Sequence, residues 1–162
     1  MPTNMTDIRE FLALRRIALV GVSRDAEDFS RYLLREMCAR GYDMVPVNPA
    51  AQGEFEKRQC FARVQEINPP SEGALVLTAS RDTEQVVRDC AEAGIRHLWM
   101  HRSGGQGSVN QAAVDFCHEK GIHVVDGYCP FMFLAQTPFF HRVHGFLLKV
   151  AGSYPREVRK AA

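Results

Sequence analysis

The chain has 162 residues, 46% of them hydrophobic and 24% charged, with 20 Lys and Arg against 19 Asp and Glu. That length fits one domain with a real core, and the composition excludes a disordered chain. A formal charge of +1 argues against nucleic acid as the main partner, because neutralising many phosphates calls for a basic excess.

The chain opens with MPTNMTDIREFLALRR, in which no basic segment precedes an apolar one, and no apolar run in the sequence approaches the roughly 18–20 residues that cross a bilayer. A cytoplasmic protein without membrane contact is expected. Ile8, Phe11, Leu12 and Leu14 recur at helical spacing behind Asn4 or Thr6 as possible caps, predicting a helix over Thr6–Leu14 that covers a sheet edge. The run Ile17–Val22 predicts a strand buried on both faces of a parallel sheet. After the polar stretch Arg24–Phe29, a helix over Ser30–Arg40 is stopped by Gly41.

A second strand, Tyr42–Val47, ends at Asn48-Pro49, and the segment that follows to Pro70 carries only weak turn and strand signals. Ala74–Ala79 predicts a third strand, and RDTEQVVRDCAEAG a helix whose inner face is Val86, Val87, Cys90 and Ala93, ended by Gly94. IRHLWMH predicts a fourth strand, SVNQAAVDFCHEKG a helix capped by Ser108 and closed by Gly121, and IHVVDG a fifth strand. Strands alternating with helices predict a Rossmann-like α/β fold, a doubly wound parallel sheet in one domain over residues 1–130. Residues 131–162 form an aromatic-rich extension in which Phe140, Val143, Phe146, Leu147 and Val150 mark a helix. It is expected to pack on the domain or at a homodimer interface.

In such sheets ligands lie beyond the carboxyl ends of the strands, at the switch point. There the chain reads Gly21-Val22-Ser23-Arg24-Asp25-Ala26, which lacks the second and third glycines of a dinucleotide fingerprint. The second strand ends in Asn48-Pro49 where an NAD-binding protein has a carboxylate for the ribose. An anion site remains attractive: the Ser23 hydroxyl, free amides near Ser30 at a helix start, and the charges of Arg24 and Arg31 all favour phosphate. A tight turn without ligand is the alternative for Gly21, and solvated surface roles are the alternative for the arginines.

The five cysteines, Cys38, Cys60, Cys90, Cys117 and Cys129, are odd in number with no C-x-x-C, and read as reduced thiols. Cys38, Cys90 and Cys117 fit small core positions on helices. Cys129, before Pro130 at a strand end, is a weak candidate nucleophile, with His101 on the same rim. His141 and His144, spaced i and i+3, allow a metal site with Cys129 or a second histidine, although interface or surface histidines explain them as well. Gly104-Gly105-x-Gly107 is either an anion nest or a flexible loop.

The segments IALVGVSRDAEDFSRYLLREMCARGYDMVPVNP, CFARVQEI, ALVLTASRD, LWMHRSG and GIHVVDGYCP together resemble the CoA-binding-domain proteins. These are small stand-alone Rossmann-like proteins related to the nucleotide-binding domain of the succinyl-CoA synthetase α subunit. The resemblance runs from Thr6 to Pro130 and implies binding of CoA or acyl-CoA, with the pyrophosphate near the first helix. It implies a phosphate turn at Gly21, Val22 and Ser23, a second-strand loop at Asn48 and Pro49, and a third-strand end at Ala79, Ser80 and Arg81. The chain departs from the family at Glu56-Lys57-Arg58-Gln59, where glycine is common, and in its glycine-rich RSGGQGS loop. Lys57 or Arg58 is a candidate partner for the 3′-phosphate. The expected function is a noncatalytic regulatory or cofactor-binding protein. The rivals are an NAD(P)-linked oxidoreductase or redox sensor, and a CoA-thiol exchange enzyme using Cys129.

Overall fold

In a computed structural model that describes residues 3–51, 53–102, 105–134 and 155, the apolar runs form one parallel sheet and the amphipathic segments cover its faces. Helix α1 (Met5–Ala13) begins at Asn4, whose side-chain oxygen accepts the Thr6 and Asp7 amides; Asn4 rather than Thr6 is therefore the cap. Strand β1 (Arg16–Val20), helix α2 (Phe29–Ala39) and strand β2 (Asp43–Val47) complete the first βαβ unit. A small hairpin follows, β3 (Glu54–Phe55) and β4 (Arg58–Gln59), and then β5 (Gly73–Val76), α3 (Ser80–Glu92), β6 (His97–His101), α4 (Gln111–Glu119) and β7 (His123–Tyr128).

The five-stranded sheet has the order β2-β1-β5-β6-β7, every pair parallel. Succession away from β1 reverses between β1 and β5, so the switch point lies at the carboxyl ends of these two strands. Alternate residues of each strand feed two cores. Ala18, Val20, Ala74, Val76, Leu98, Met100 and Val124 pack with α3 and α4, while Ile17, Leu19, Leu75, Trp99 and Val125 pack with α1 and α2. Burial on both faces is why these strands read as continuous apolar runs. Helix α1 lies over β6 and edge strand β7, with Phe11 edge-on to Trp99 at 5.3 Å. Complete burial of Phe11 contributes roughly 1.5–3 kcal/mol.

Three expectations are corrected. Strand β1 ends at Val20, and Val22, although fully buried, lies beyond it in the turn. Helix α4 is capped by Asn110, whose oxygen accepts the Ala113 amide; Ser108 is instead buried, with its hydroxyl 2.8 Å from the Val76 carbonyl and 3.1 Å from that of His101. The segment before Pro70 holds the β3–β4 hairpin, whose turn residues Glu56 and Lys57 both have left-handed φ, +50° and +61°. Asn-Gly or Asp-Gly usually announces such a turn, which is why Glu-Lys concealed it. Just past residue 130, Phe131 is fully buried against Phe29 and Tyr32, at 6.4 and 5.6 Å. His141, His144 and the aromatic stripe from Phe140 to Val150 lie outside the described residues.

Candidate ligand-binding rim

The turn after β1 is held by close packing. Gly21 has φ +94°, and a Cβ there would lie 2.9 Å from the Thr78 nitrogen, so only glycine lets the turn lie against the strand-end loop after β5. Its amide donates to the Val47 carbonyl at 3.0 Å, and the Leu77 amide donates to Val20 at 2.8 Å, tying the turn to β2 on one side and β5 on the other. Asn48 braces it further: its Nδ2 donates to the Val22 carbonyl at 2.6 Å while its Oδ1 accepts the Ala50 amide. Both ends of that side chain are thus engaged with backbone, and Pro49 is exposed beside it. The Ser23 hydroxyl accepts the Asp25 amide at 3.1 Å. Among the described residues, the amides of Val22 and Arg24 have no hydrogen-bond acceptor.

At the start of α2 the Ser30 amide itself is not free. Asp28 caps the helix, accepting the Ser30 amide at 2.8 Å and the Ser30 hydroxyl, and that hydroxyl in turn accepts the Ser23 amide at 2.8 Å. The carboxylate already compensates the positive end of the helix. Arg31 is also committed: it pairs with Glu56 at 2.8 Å, reaches the Ser23 carbonyl, and lies 4.5 Å from the centre of the Phe55 ring. Glu56 takes Arg35 as well, so the hairpin turn clamps α2. Arg58 pairs with Asp43 rather than facing the rim, whereas Lys57 stands exposed at the hairpin tip. Arg24 is exposed and makes no ion pair among the described residues.

The start of α3 differs. Ala79 occupies the cap position and offers no side-chain acceptor, leaving the amides of Ser80 and Arg81 open among the described residues. The Ser80 carbonyl accepts Asn110 Nδ2 at 2.9 Å, and Thr83 Oγ donates to the Ser108 carbonyl at 2.8 Å, so this helix start is anchored from the side. The Arg81 side chain is 85% exposed, with only a loose 3.7 Å contact to Asp82. Asp28, Thr78 and Asn110 were not singled out from the sequence, and Glu56 was noted only as part of a departure from the family. An Asp immediately before an amphipathic run is an ordinary cap signal, and Asp28 was legible on that ground; the others act through long-range contacts.

Cys129 is 4% exposed, and burial pushes its thiol up to about 11, opposed only in part by a hydrogen bond from the Phe131 backbone. His101 is buried and stacks on Phe29 at 4.9 Å. Gly107 is needed for packing, since a Cβ there would lie 2.4 Å from the His101 carbonyl oxygen; Gly105 is exposed and Gly104 is outside the described residues.

The CoA binding domain family model matches residues 15–135, a span that contains every element from β1 to β7. The chain belongs to the CoA binding domain family. An uncharacterized protein of Bacillus subtilis (strain 168), YneT, is 29% identical over 124 residues, covering 76% of this chain and 88% of that protein. A hypothetical protein from Pyrococcus horikoshii OT3 superposes with a TM-score of 0.71 at 25% identity, covering 91% of this chain and 98% of the other. The dinucleotide forming acetyl-coenzyme A synthetase 1 of Ca. Korarchaeum cryptofilum, in its apo form, matches with a TM-score of 0.60 at 25% identity, over 69% of this chain but 26% of the synthetase. The family member described here therefore shares one region of that enzyme, in a Rossmann-like fold.

Proposed function

We propose that this protein binds CoA or an acyl-CoA across the switch point and does so without covalent chemistry, as a regulatory or cofactor-binding module. The observation that carries the reading is the contact of Gly21 with Thr78, which brings two sets of unsatisfied backbone amides together: those of Val22 and Arg24 after β1, and those of Ser80 and Arg81 at the start of α3, which has no side-chain cap. Converging amides and a helix start favour a diphosphate. Arg24 and Arg81 are the cations left uncommitted or nearly so, and Lys57 is suited by its exposed position to the 3′-phosphate. The α2 start contributes less than its place in the fold suggests, because Asp28 already fills it.

Nucleophilic catalysis by Cys129 is disfavoured on physical grounds. Burial pushes its thiol up to about 11, so the nucleophilic thiolate is scarce at neutral pH. An NAD-specific site is disfavoured too, since the second strand ends in Asn48 rather than a carboxylate for the ribose, and Asn48 is held by backbone at both polar atoms.

The test is native mass spectrometry of gently purified protein with CoA, acetyl-CoA, NAD and NADP in competition. Retention of CoA or its thioester is expected, and preferential retention of NAD or NADP overturns the reading. Arg24→Glu is expected to weaken CoA about tenfold, the scale of one charge-assisted contact, while Cys129→Ser leaves affinity unchanged and abolishes no product.

A further inference from the structure

The opposite end of the sheet carries a second cluster that CoA binding does not use. His123 opens β7, and its Nδ1 lies 3.3 Å from Asp7 Oδ1 and 3.5 Å from Glu10 Oε2. Asp7 and Glu10 sit one turn apart on α1, so the helix presents both carboxylates to the same point. We propose that Asp7, Glu10 and His123 bind one divalent transition-metal ion of the zinc class at the amino-terminal end of the sheet.

The geometry suits such an ion. Tetrahedral zinc with bonds of about 2.0–2.2 Å separates its ligand atoms by roughly 3.3–3.6 Å, and the two histidine–carboxylate separations, 3.3 and 3.5 Å, fall in that range. All three ligand atoms lie within 4.8 Å of one another, and the half-exposed Glu10 side chain closes the remaining edge by rotation. The surroundings orient the ligands as outer groups do around metals. Asn4 Nδ2 donates to Asp7 Oδ2 at 2.6 Å, which leaves Oδ1 facing His123, and the His97 ring stacks on the His123 ring at 5.0 Å and 15°. The Asp7 side chain is only 18% exposed. A cleft of about 330 Å³, lined by Asn4, Asp7, His118, Gly121 and His123 among others, opens beside the cluster and leaves room for water or an exogenous ligand in a fourth position. One imidazole and two carboxylates match zinc, and also cobalt as its spectroscopic substitute, better than the all-oxygen shells of calcium or magnesium.

The experiment is titration of untagged, chelator-treated full-length protein with Zn²⁺ by calorimetry and with Co²⁺ by visible absorption. One metal per chain is expected. His123→Gln and Glu10→Gln are each expected to weaken zinc at least tenfold and to remove the cobalt bands, with folding checked by circular dichroism. His118→Gln, in the same cleft but outside the cluster, is expected to bind normally. Absence of saturable binding shows that His123 is simply an ion-pair partner of α1 and overturns the proposal. Binding that survives both ligand substitutions, or that is lost with His118, overturns it equally.

Discussion

The two helix starts that flank the switch point are built oppositely. Helix α2 begins with Asp28 on its own amides, Ser30 linked to Ser23, and Arg31 locked between Glu56 and Phe55. Helix α3 begins at Ala79 with no side-chain acceptor and an arginine open to solvent. Both follow strands of the same sheet, and a fold diagram would assign them equal claims on an anion. Their chemistry separates them: at α2 the Asp28 carboxylate accepts the helix's own Ser30 amide, whereas α3 carries Asp82 in its first turn but leaves the Ser80 and Arg81 amides without an acceptor among the described residues. The first is a structural brace, and under the proposed reading the second is where a diphosphate would gain most.

The largest expected effect breaks the contact between the two sides. Gly21→Ala forces a left-handed conformation on a residue with a Cβ and drives that atom toward Thr78, costing about 2–5 kcal/mol from the summed backbone and overpacking penalties; urea denaturation measures it. Next, Arg81→Glu should weaken CoA about tenfold with little change in stability, read by calorimetry at two salt concentrations. An unaltered affinity would return the anion to the α2 side. Asp28→Ala sharpens the comparison from that side. Loss of the cap should cost about 1 kcal/mol, yet CoA binding should hold or improve because a negative charge leaves the rim. A weakened complex would mean that Asp28 contacts the ligand.

The smallest effect lies away from the rim, at Asp43. Burial alone would raise its carboxyl, but hydrogen bonds and charge from Arg16 and Arg58 outweigh that and hold it below the ordinary carboxylate range. A depressed folded-state pKa gives stability that is present above the unfolded value and lost as pH falls through the folded one. Asp43→Asn should therefore lower stability by less than about 1 kcal/mol at neutral pH, as for other exposed pairs, and flatten the decline between roughly pH 4 and the acid limit. Acid titration of unfolding midpoints checks the sign.

Much of the fold was legible because its signals are local. The Ile17–Val20 and Leu98–Met100 runs are apolar on both faces, and Gly41, Gly94 and Gly121 follow their helices directly, each with positive φ. The rim was legible in outline for the same reason: Gly21 and Ala79 stand just past buried strands. The hairpin was not, since two-residue strands carry no period and its turn uses Glu and Lys. Ser108 looked like a cap because it precedes a helix, and became instead a bridge between the ends of β5 and β6.

Residue order alone thus determined the alternation of strands and helices, their terminators and the family to which the chain belongs, because periodicity and turn chemistry are properties of neighbours. Tertiary contact decided the rest. Which arginine is spent and which is free, why Gly21 tolerates no side chain, and how His123 meets Glu10 and Asp7, the latter 116 positions earlier in the chain, depend on groups distant in sequence. A polar side chain's role is set by the partner it finds, and that partner is chosen by packing.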